Sequence, residues 1–216
     1  CMLIKNIVWD WNGTIVDDAW VFVVIMNGLL KKGGLPQKDL QYYRKNFCFP
    51  IQDYWKGLGF KFTEKSFNDL NASFIQEYQK KMFSPSLHES IKSLLVDLNK
   101  KNIKQFVLSA SENNLLQNSI EHYNLKGLFK GVYGVDNLNA TGKESLGALL
   151  FAEYKLNPSE TLLIGDTEYD YRVAEHLGCD IILLSHGHVS HDRLLCCGVP
   201  VFSSLRELEE YLTLNQ

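Results

Sequence analysis

Leu3-Ile4-Lys5-Asn6-Ile7-Val8-Trp9-Asp10-Trp11-Asn12-Gly13-Thr14 is the stretch that decides the fold. Its apolar run reads as a buried strand, and Gly13 places a tight turn directly behind it. The strand thereby delivers a carboxylate, Asp10, which suits a nucleophile, a metal ligand, or both. A second run, Thr161-Leu162-Leu163-Ile164, leads in the same way into Gly165-Asp166-Thr167-Glu168-Tyr169-Asp170. Two strand ends carrying acids, with Ser109 and Lys143 between them in the chain, point to an active site.

Working outward, residues 15–83 read as helices with no strand required. One spans Ile15 to Lys32, ended by Gly33-Gly34; Pro36 opens a second to about Asn46, Pro50 a third to about Gly57, and Thr63 caps a fourth to about Met82. Ser84-Pro85-Ser86 reads as a linker. From there strand and helix alternate: helix to Asn99, strand Ile103–Leu108, helix Glu112–Tyr123, and a short strand near Val132–Tyr133. Helix Lys143–Tyr154, strand Thr161–Ile164, helix Tyr169–Leu177 and strand Asp180–Leu184 follow. Such alternation predicts an α/β fold, a doubly wound parallel sheet covered on both faces. Ligands bind outside the carboxyl ends of the strands in these sheets, so Asp10, Ser109 and Asp166 should meet at one edge, with Lys143 opening a helix beside them.

At 216 residues the chain holds one sizeable domain or a core with a smaller insertion. Hydrophobic residues at 45% and charged at 22% are ordinary for a globular protein, and a net charge of −3 without a long basic run gives no sign of nucleic acid or an anionic membrane as partner. Lys100, Lys101 and Lys104 fit a solvated helix end that complements the helix dipole. Ala19 to Met26 is far shorter than the ~20 residues of a membrane span, and it follows Asp17-Asp18, unlike a secretory signal. The five cysteines (Cys1, Cys48, Cys179, Cys196, Cys197) lack Cys-x-x-Cys spacing, so neither a disulfide framework nor a zinc site is expected, and a reducing cytoplasm fits. Oligomeric state is left open.

Paired carboxylates suit a hard cation such as Mg2+, while the hydroxyls of Thr14 and Ser109 and the ammonium of Lys143 offer donors to an anion. Together they suggest phosphoryl transfer through an aspartyl-phosphate, with Lys143 neutralising charge. Asp166 and Asp170 each also suit capping of the following helix, which accounts for one of them but not both along with Asp10.

On Asp10-Trp11-Asn12-Gly13-Thr14, Ser109, Lys143, and Gly165-Asp166 with Asp170, the chain resembles the haloacid-dehalogenase-like superfamily in its phosphatase branch, like phosphoglycolate phosphatase and β-phosphoglucomutase. The resemblance implies a catalytic core at residues 1–14 and 84–216 and a four-helix cap at 15–83. It implies Asp10 as nucleophile and Mg2+ ligand, with the Asn12 backbone carbonyl and Asp166 completing the protein ligands. Asp170 would bind a metal water or hold Lys143. Asn12, Thr14, Ser109, Ala110 and Lys143 would hold the phosphate of a small phosphorylated substrate. The loop Arg44-Lys45-Asn46-Phe47-Cys48-Phe49-Pro50 would select that substrate: Arg44 and Lys45 by meeting an anionic tail, Phe47 and Phe49 by closing an apolar lid. Equally, the aromatics could pack cap on core while the charges face water.

The chain departs from this pattern at Asn12, where family phosphatases carry the aspartate that serves as general acid and base. An amide does neither, and losing such help typically costs ~10²–10⁴ in rate. Four readings follow: a phosphatase that is slow, prefers good leaving groups or recruits its acid elsewhere; a hydrolase resembling phosphonoacetaldehyde hydrolase, with Lys45 or Lys56 forming an imine; a dehalogenase, for which the paired acids are out of place; or a phosphometabolite-binding pseudo-phosphatase. Asn12-Gly13 is also a step prone to deamidation, which would create an aspartate. His186, His188 and His191 invite a zinc or nickel site but fall in a loop that is a rim element in the family. Thr141-Gly142-Lys143-Glu144 resembles a P-loop end yet lacks its upstream glycine and following Ser/Thr.

Overall fold

β1, Asn6–Trp9, is buried at all four residues, as a central strand covered on both faces must be. The computed structural model describes residues 3–136 and 142–214, so Cys1 and Thr141 lie outside the described residues. β1 pairs in parallel with β2 (Lys104–Glu112) on one side and β4 (Thr161–Gly165) on the other. β3 (Gly131–Val135), β5 (Asp180–Leu184) and β6 (Val201–Phe202) complete a six-stranded parallel sheet of order β3-β2-β1-β4-β5-β6.

Successive strand residues point to opposite faces and so divide between two cores. Val8 packs with Phe106, Leu108, Leu163 and Leu183, while Ile7 and Trp9 pack with Val107, Leu162, Ile164 and Ile182. α7 (Lys143–Tyr154) and α8 (Glu168–Leu177) cover the first face; α5 (Ile91–Lys100), α6 (Asn113–His122) and α10 (Leu205–Leu214) cover the second. The expected doubly wound α/β sheet is what forms.

Between β1 and α5 the chain builds α1 (Ala19–Lys32), α2 (Leu40–Asn46), α3 (Ile51–Gly57) and α4 (Glu64–Lys81). Their apolar faces, with Val21, Met26, Leu30, Tyr43, Trp55 and Tyr78, merge into the first core. Thr63 caps α4 through a reciprocal box with Ser66, as its position predicts. Two expected starts move. Residues 15–18 are not helical, because the Val16 backbone bridges to both Asn12 and Leu87 while the Asp17 N–H donates to the Ser86 carbonyl. The chain thus leaves and re-enters the sheet through two paired passages. The second helix begins at Leu40 rather than near Pro36, since the Asp39 side chain accepts the Tyr42 N–H and fixes the cap there. α9 (His191–Leu195), β6 and α10 were not expected.

Candidate active site

Strand order reverses between β1 and β4, the switch point where doubly wound sheets open a crevice. Asp10 leaves β1 there and Asp166 leaves β4, with the Asp10 N–H donating to the Ile164 carbonyl at 2.8 Å. Lys143 opens α7 and Asp170 lies in the first turn of α8. Lys143 Nζ donates to Asp10 Oδ1 and to Asp170 Oδ1, each at 2.5 Å. The Thr14 hydroxyl lies 3.4 Å from Asp10 Oδ2 and 3.1 Å from Asp166 Oδ1. All five side chains are buried.

Asp170 does two jobs. Its Oδ2 accepts from the Asp166 and Thr167 N–H groups and the Thr167 hydroxyl, closing a capping box on α8, while Oδ1 holds Lys143. Capping and ion pairing therefore coexist in one carboxylate. Asp166 accepts the His188 N–H at 2.6 Å. Gly187 is forced by the same close approach, because a Cβ there would overlap the Asp166 carboxylate, as would one at Gly13, where φ is +77°.

Burial pushes the Asp10 carboxyl up to about 6; the Lys143 ammonium opposes the shift and the Asp170 charge adds to it. Asp166 is raised well above the ordinary range, again mainly by burial, against the pull of His188. Burial disfavours the Lys143 charge, but the two carboxylates it touches outweigh that and raise its pKa. Three buried carboxylates against one ammonium leave negative charge in excess. One oxygen from each of Asp10, Asp166 and Asp170 lies within 4.8 Å of the others, and among the described residues this is the group able to hold a metal ion. An all-oxygen set of that charge fits a hard divalent cation, which would reverse the upward carboxylate shifts.

Asn12 is held on all sides. Its Nδ2 donates to Asp18 Oδ2 at 2.5 Å and to the Tyr78 hydroxyl at 2.7 Å, and its Oδ1 accepts from the Ser111 hydroxyl at 2.6 Å. Asp18, fully buried, also accepts the Gly13 N–H at 2.9 Å and pairs with His188 Nε2 at 3.0 Å. His188 Nδ1 lies 2.7 Å from the Tyr43 hydroxyl. Burial works against a charged imidazole here, yet the Asp18 carboxylate outweighs it and raises the His188 pKa. Sequence reading missed Asp18, Tyr78 and Ser111, and set His188 aside as rim. The three histidines do not converge. His186 stacks on His88 with ring centroids 3.6 Å apart, and His191 Nδ1 contacts the Ser185 hydroxyl at 3.0 Å.

A cavity of about 250 Å³ opens over Asp10, Lys143, Asp166 and Asp170. Ala110 and Ser111 line it at the end of β2, whereas the Ser109 hydroxyl accepts the Ser111 N–H at 3.1 Å and braces that turn. Phe47 and Phe49 line it; Arg44 and Lys45 do not. The Arg44 guanidinium instead donates to the carbonyls of His186 and Gly187, both at 2.8 Å, which ties α2 to the loop after β5 and takes it away from any substrate tail. Lys56 is likewise outside the lining, exposed beside Asp53.

The sequence profile of the haloacid dehalogenase-like hydrolases matches residues 7–184. No curated protein sequence matches the chain. Among solved structures, a predicted phosphatase from Clostridium acetobutylicum superposes with a TM-score of 0.85 at 20% identity, over 98% of this chain and 99% of that one. A haloacid dehalogenase-like hydrolase from Streptococcus pneumoniae gives 0.84 at 19% identity over 98% and 100%. A predicted phosphoglycolate phosphatase from Haemophilus somnus gives 0.79 at 20% identity over 99% of each.

Proposed function

The chain belongs to the haloacid dehalogenase-like hydrolases, and we propose that it is a Mg2+-dependent phosphatase of a small phosphorylated metabolite, working through an aspartyl-phosphate on Asp10. The observation that carries this is the bridging of Asp10 and Asp170 by Lys143, with Asp166 alongside. Lys143 fixes one Asp10 oxygen and leaves Oδ2 as the attacking atom. That oxygen forms a bond to phosphorus as the ester oxygen departs; water then attacks phosphorus, releasing phosphate and restoring the carboxylate. Lys143 and the backbone around Ala110 and Ser111, which line the cavity, hold the phosphoryl oxygens, while the Thr14 hydroxyl, buried outside the lining, positions the Asp10 and Asp166 carboxylates. Asp10, Asp166 and the Asn12 carbonyl would hold Mg2+, with Asp170 kept on Lys143, and the ion would neutralise charge on the transferring group. Residues 15–83 act as the cap that closes over this centre.

Hydrolysis of p-nitrophenyl phosphate with Mg2+, with EDTA, and in folded Asp10→Asn tests the reading. Metal-dependent turnover that disappears in Asp10→Asn is expected, and turnover that survives there overturns it. A binding-only role also has support, because the locked Asn12 amide offers no proton. Metal-dependent phosphate binding with no hydrolysis would identify that role. An imine-forming C–P hydrolase has no such support, since Lys143, already paired twice, is the lysine in the cavity lining.

A further inference from the structure

We infer that the substrate is an aryl phosphate, the monoester of a single-ring aromatic alcohol; the assignment rests on the phosphatase reading of the same site. The same cavity is lined by Phe22, Phe47, Phe49, Tyr54, Trp55 and Phe74, with Met26, Ile51 and Asn71 among them. The rings are already set against one another edge to face: Phe47 with Phe49 at 5.3 Å, Phe47 with Tyr54 at 5.4 Å, Trp55 with Phe74 at 6.0 Å. A preformed aromatic wall accepts a further ring at little ordering cost.

Charge excludes the common alternative. Lys143 is the lysine or arginine in the lining; Asp10 and Asp170 take two of its three donors, and the transferring phosphoryl group takes the third. A carboxylate or second phosphate on the substrate would find no free cation among the described lining residues, since His188 is paired with Asp18 and the remaining donors, the unpartnered Trp55 Nε1 among them, are neutral. Its burial therefore carries a desolvation cost. Size agrees: the cavity is about 250 Å³, and an apolar cavity of roughly 150 Å³ holds benzene.

The chemistry points the same way. Asn12 has no proton for the leaving oxygen. A phenolate, of conjugate pKa ~10, leaves without one, whereas an alkoxide near the ~15.7 of water does not. Asp10 Oδ2 bonds to phosphorus, the aryl oxygen takes the bonding pair as phenolate, and solvent protonates it.

The test compares phenylphosphonate with phosphonoacetate, stable probes that share the phosphoryl group and differ in the tail, by calorimetric titration with Mg2+. Burying the ring should favour phenylphosphonate by about 10- to 100-fold. The preference should narrow in Phe49→Ala. Equal affinities, a preference for phosphonoacetate, or an unchanged preference in Phe49→Ala overturns the inference. Turnover of phenyl phosphate and glycerol phosphate separates the two readings. Hydrolysis that favours glycerol phosphate removes the aryl assignment and leaves the phosphatase. Aryl preference in binding without hydrolysis of either ester keeps the ligand class and removes the phosphatase.

Discussion

Asn12→Asp is the substitution that would restore the family's acid, and the structure says what it costs. The new carboxyl would lie where the amide now donates to Asp18 Oδ2 at 2.5 Å. Asp18 is fully buried and already accepts from Gly13 and His188, so it cannot turn away. Two unit charges about 4 Å apart repel by ~4 kcal/mol at an effective dielectric of 20. The alternative is for the pair to take up a proton. Holding one at pH 7 on a group whose unfolded pKa is ~3.9 costs ~4 kcal/mol as well, at 1.36 kcal/mol per unit. The two routes agree, and ~4 kcal/mol is a large share of an ordinary folding free energy. Proton uptake raises the folded pKa above the unfolded one, so the deficit shrinks as pH falls, to ~1.5 kcal/mol at pH 5. Urea unfolding of wild type and Asn12→Asp at pH 7 and pH 5 reads this directly. Asn12→Asp with Asp18→Asn exchanges donor and acceptor and should recover most of the loss. The shared proton also sits where a leaving alkoxide needs it, so kcat for an alkyl phosphate should rise by ~10²–10⁴ while phenyl phosphate gains little. An Asn12→Asp protein as stable as wild type at pH 7 would refute the argument, since Asp18 would not be the partner the structure makes it.

Burial beside His88 pushes His186 down to about 3, against ~6.5 in the unfolded chain. The unfolded state therefore takes the proton first, and stability is lost as pH falls from 6.5 toward 3, by ~2 kcal/mol at pH 5 from this group. His186→Gln should flatten the acid limb of the urea midpoint, and parallel limbs would reject the assignment. Gly187→Ala places a methyl group against the Asp166 carboxylate and should abolish Mg2+-dependent turnover while α1–α4 stay folded, seen as retained helical circular dichroism. Deamidation at Asn12 needs the Gly13 nitrogen to attack the Asn12 side chain, but that N–H is held by Asp18 Oδ1 and the Val16 carbonyl, each at 2.9 Å. Peptide mass spectrometry on aged protein should find Asn12 intact in the folded state and converted only after unfolding; fast conversion in the folded state contradicts the geometry.

What the sequence made legible and what it hid differ in range. β1, α7, β4 and β5 are near their expected bounds because their signal is local: burial on both faces writes an unbroken apolar run, and Gly13 and Gly165 mark the turns. Asp10, Ser109 and Asp166, with Lys143 beside them, are expected at one edge for the same reason, since each is read from the end of its own element, whereas the role of Asp170 on Lys143 enters through the family resemblance. β6 has two residues, too few to show a period, while Leu205, Leu208 and Leu212 carried a helical spacing for α10 that was readable and missed.

Asp18 shows why the polar network escaped. Standing just before an apolar run, it has the position of a helix N-cap, and it is the residue that flanks α1. Its side chain makes no capping bond there, but reaches back to the Gly13 N–H and Asn12 and across to His188, 170 positions away. A carboxylate that leaves its own helix end uncapped is held by stronger donors elsewhere, because a buried anion must find its partners. Nothing periodic connects residues 12, 18, 78, 111 and 188; they meet only because α1 and α4 and the loop after β5 close over one crevice. That closure gives the substitution at Asn12 its meaning. An aspartate at position 12 would take from Asp18 Oδ2 the donor it now has and set a like charge against it, with only the Gly13 N–H and His188 left on Oδ1, whereas asparagine donates to it. The amide and the buried Asp18–His188 pair therefore form one unit, and the family's acid returns to position 12 without loss of stability only if position 18 changes with it.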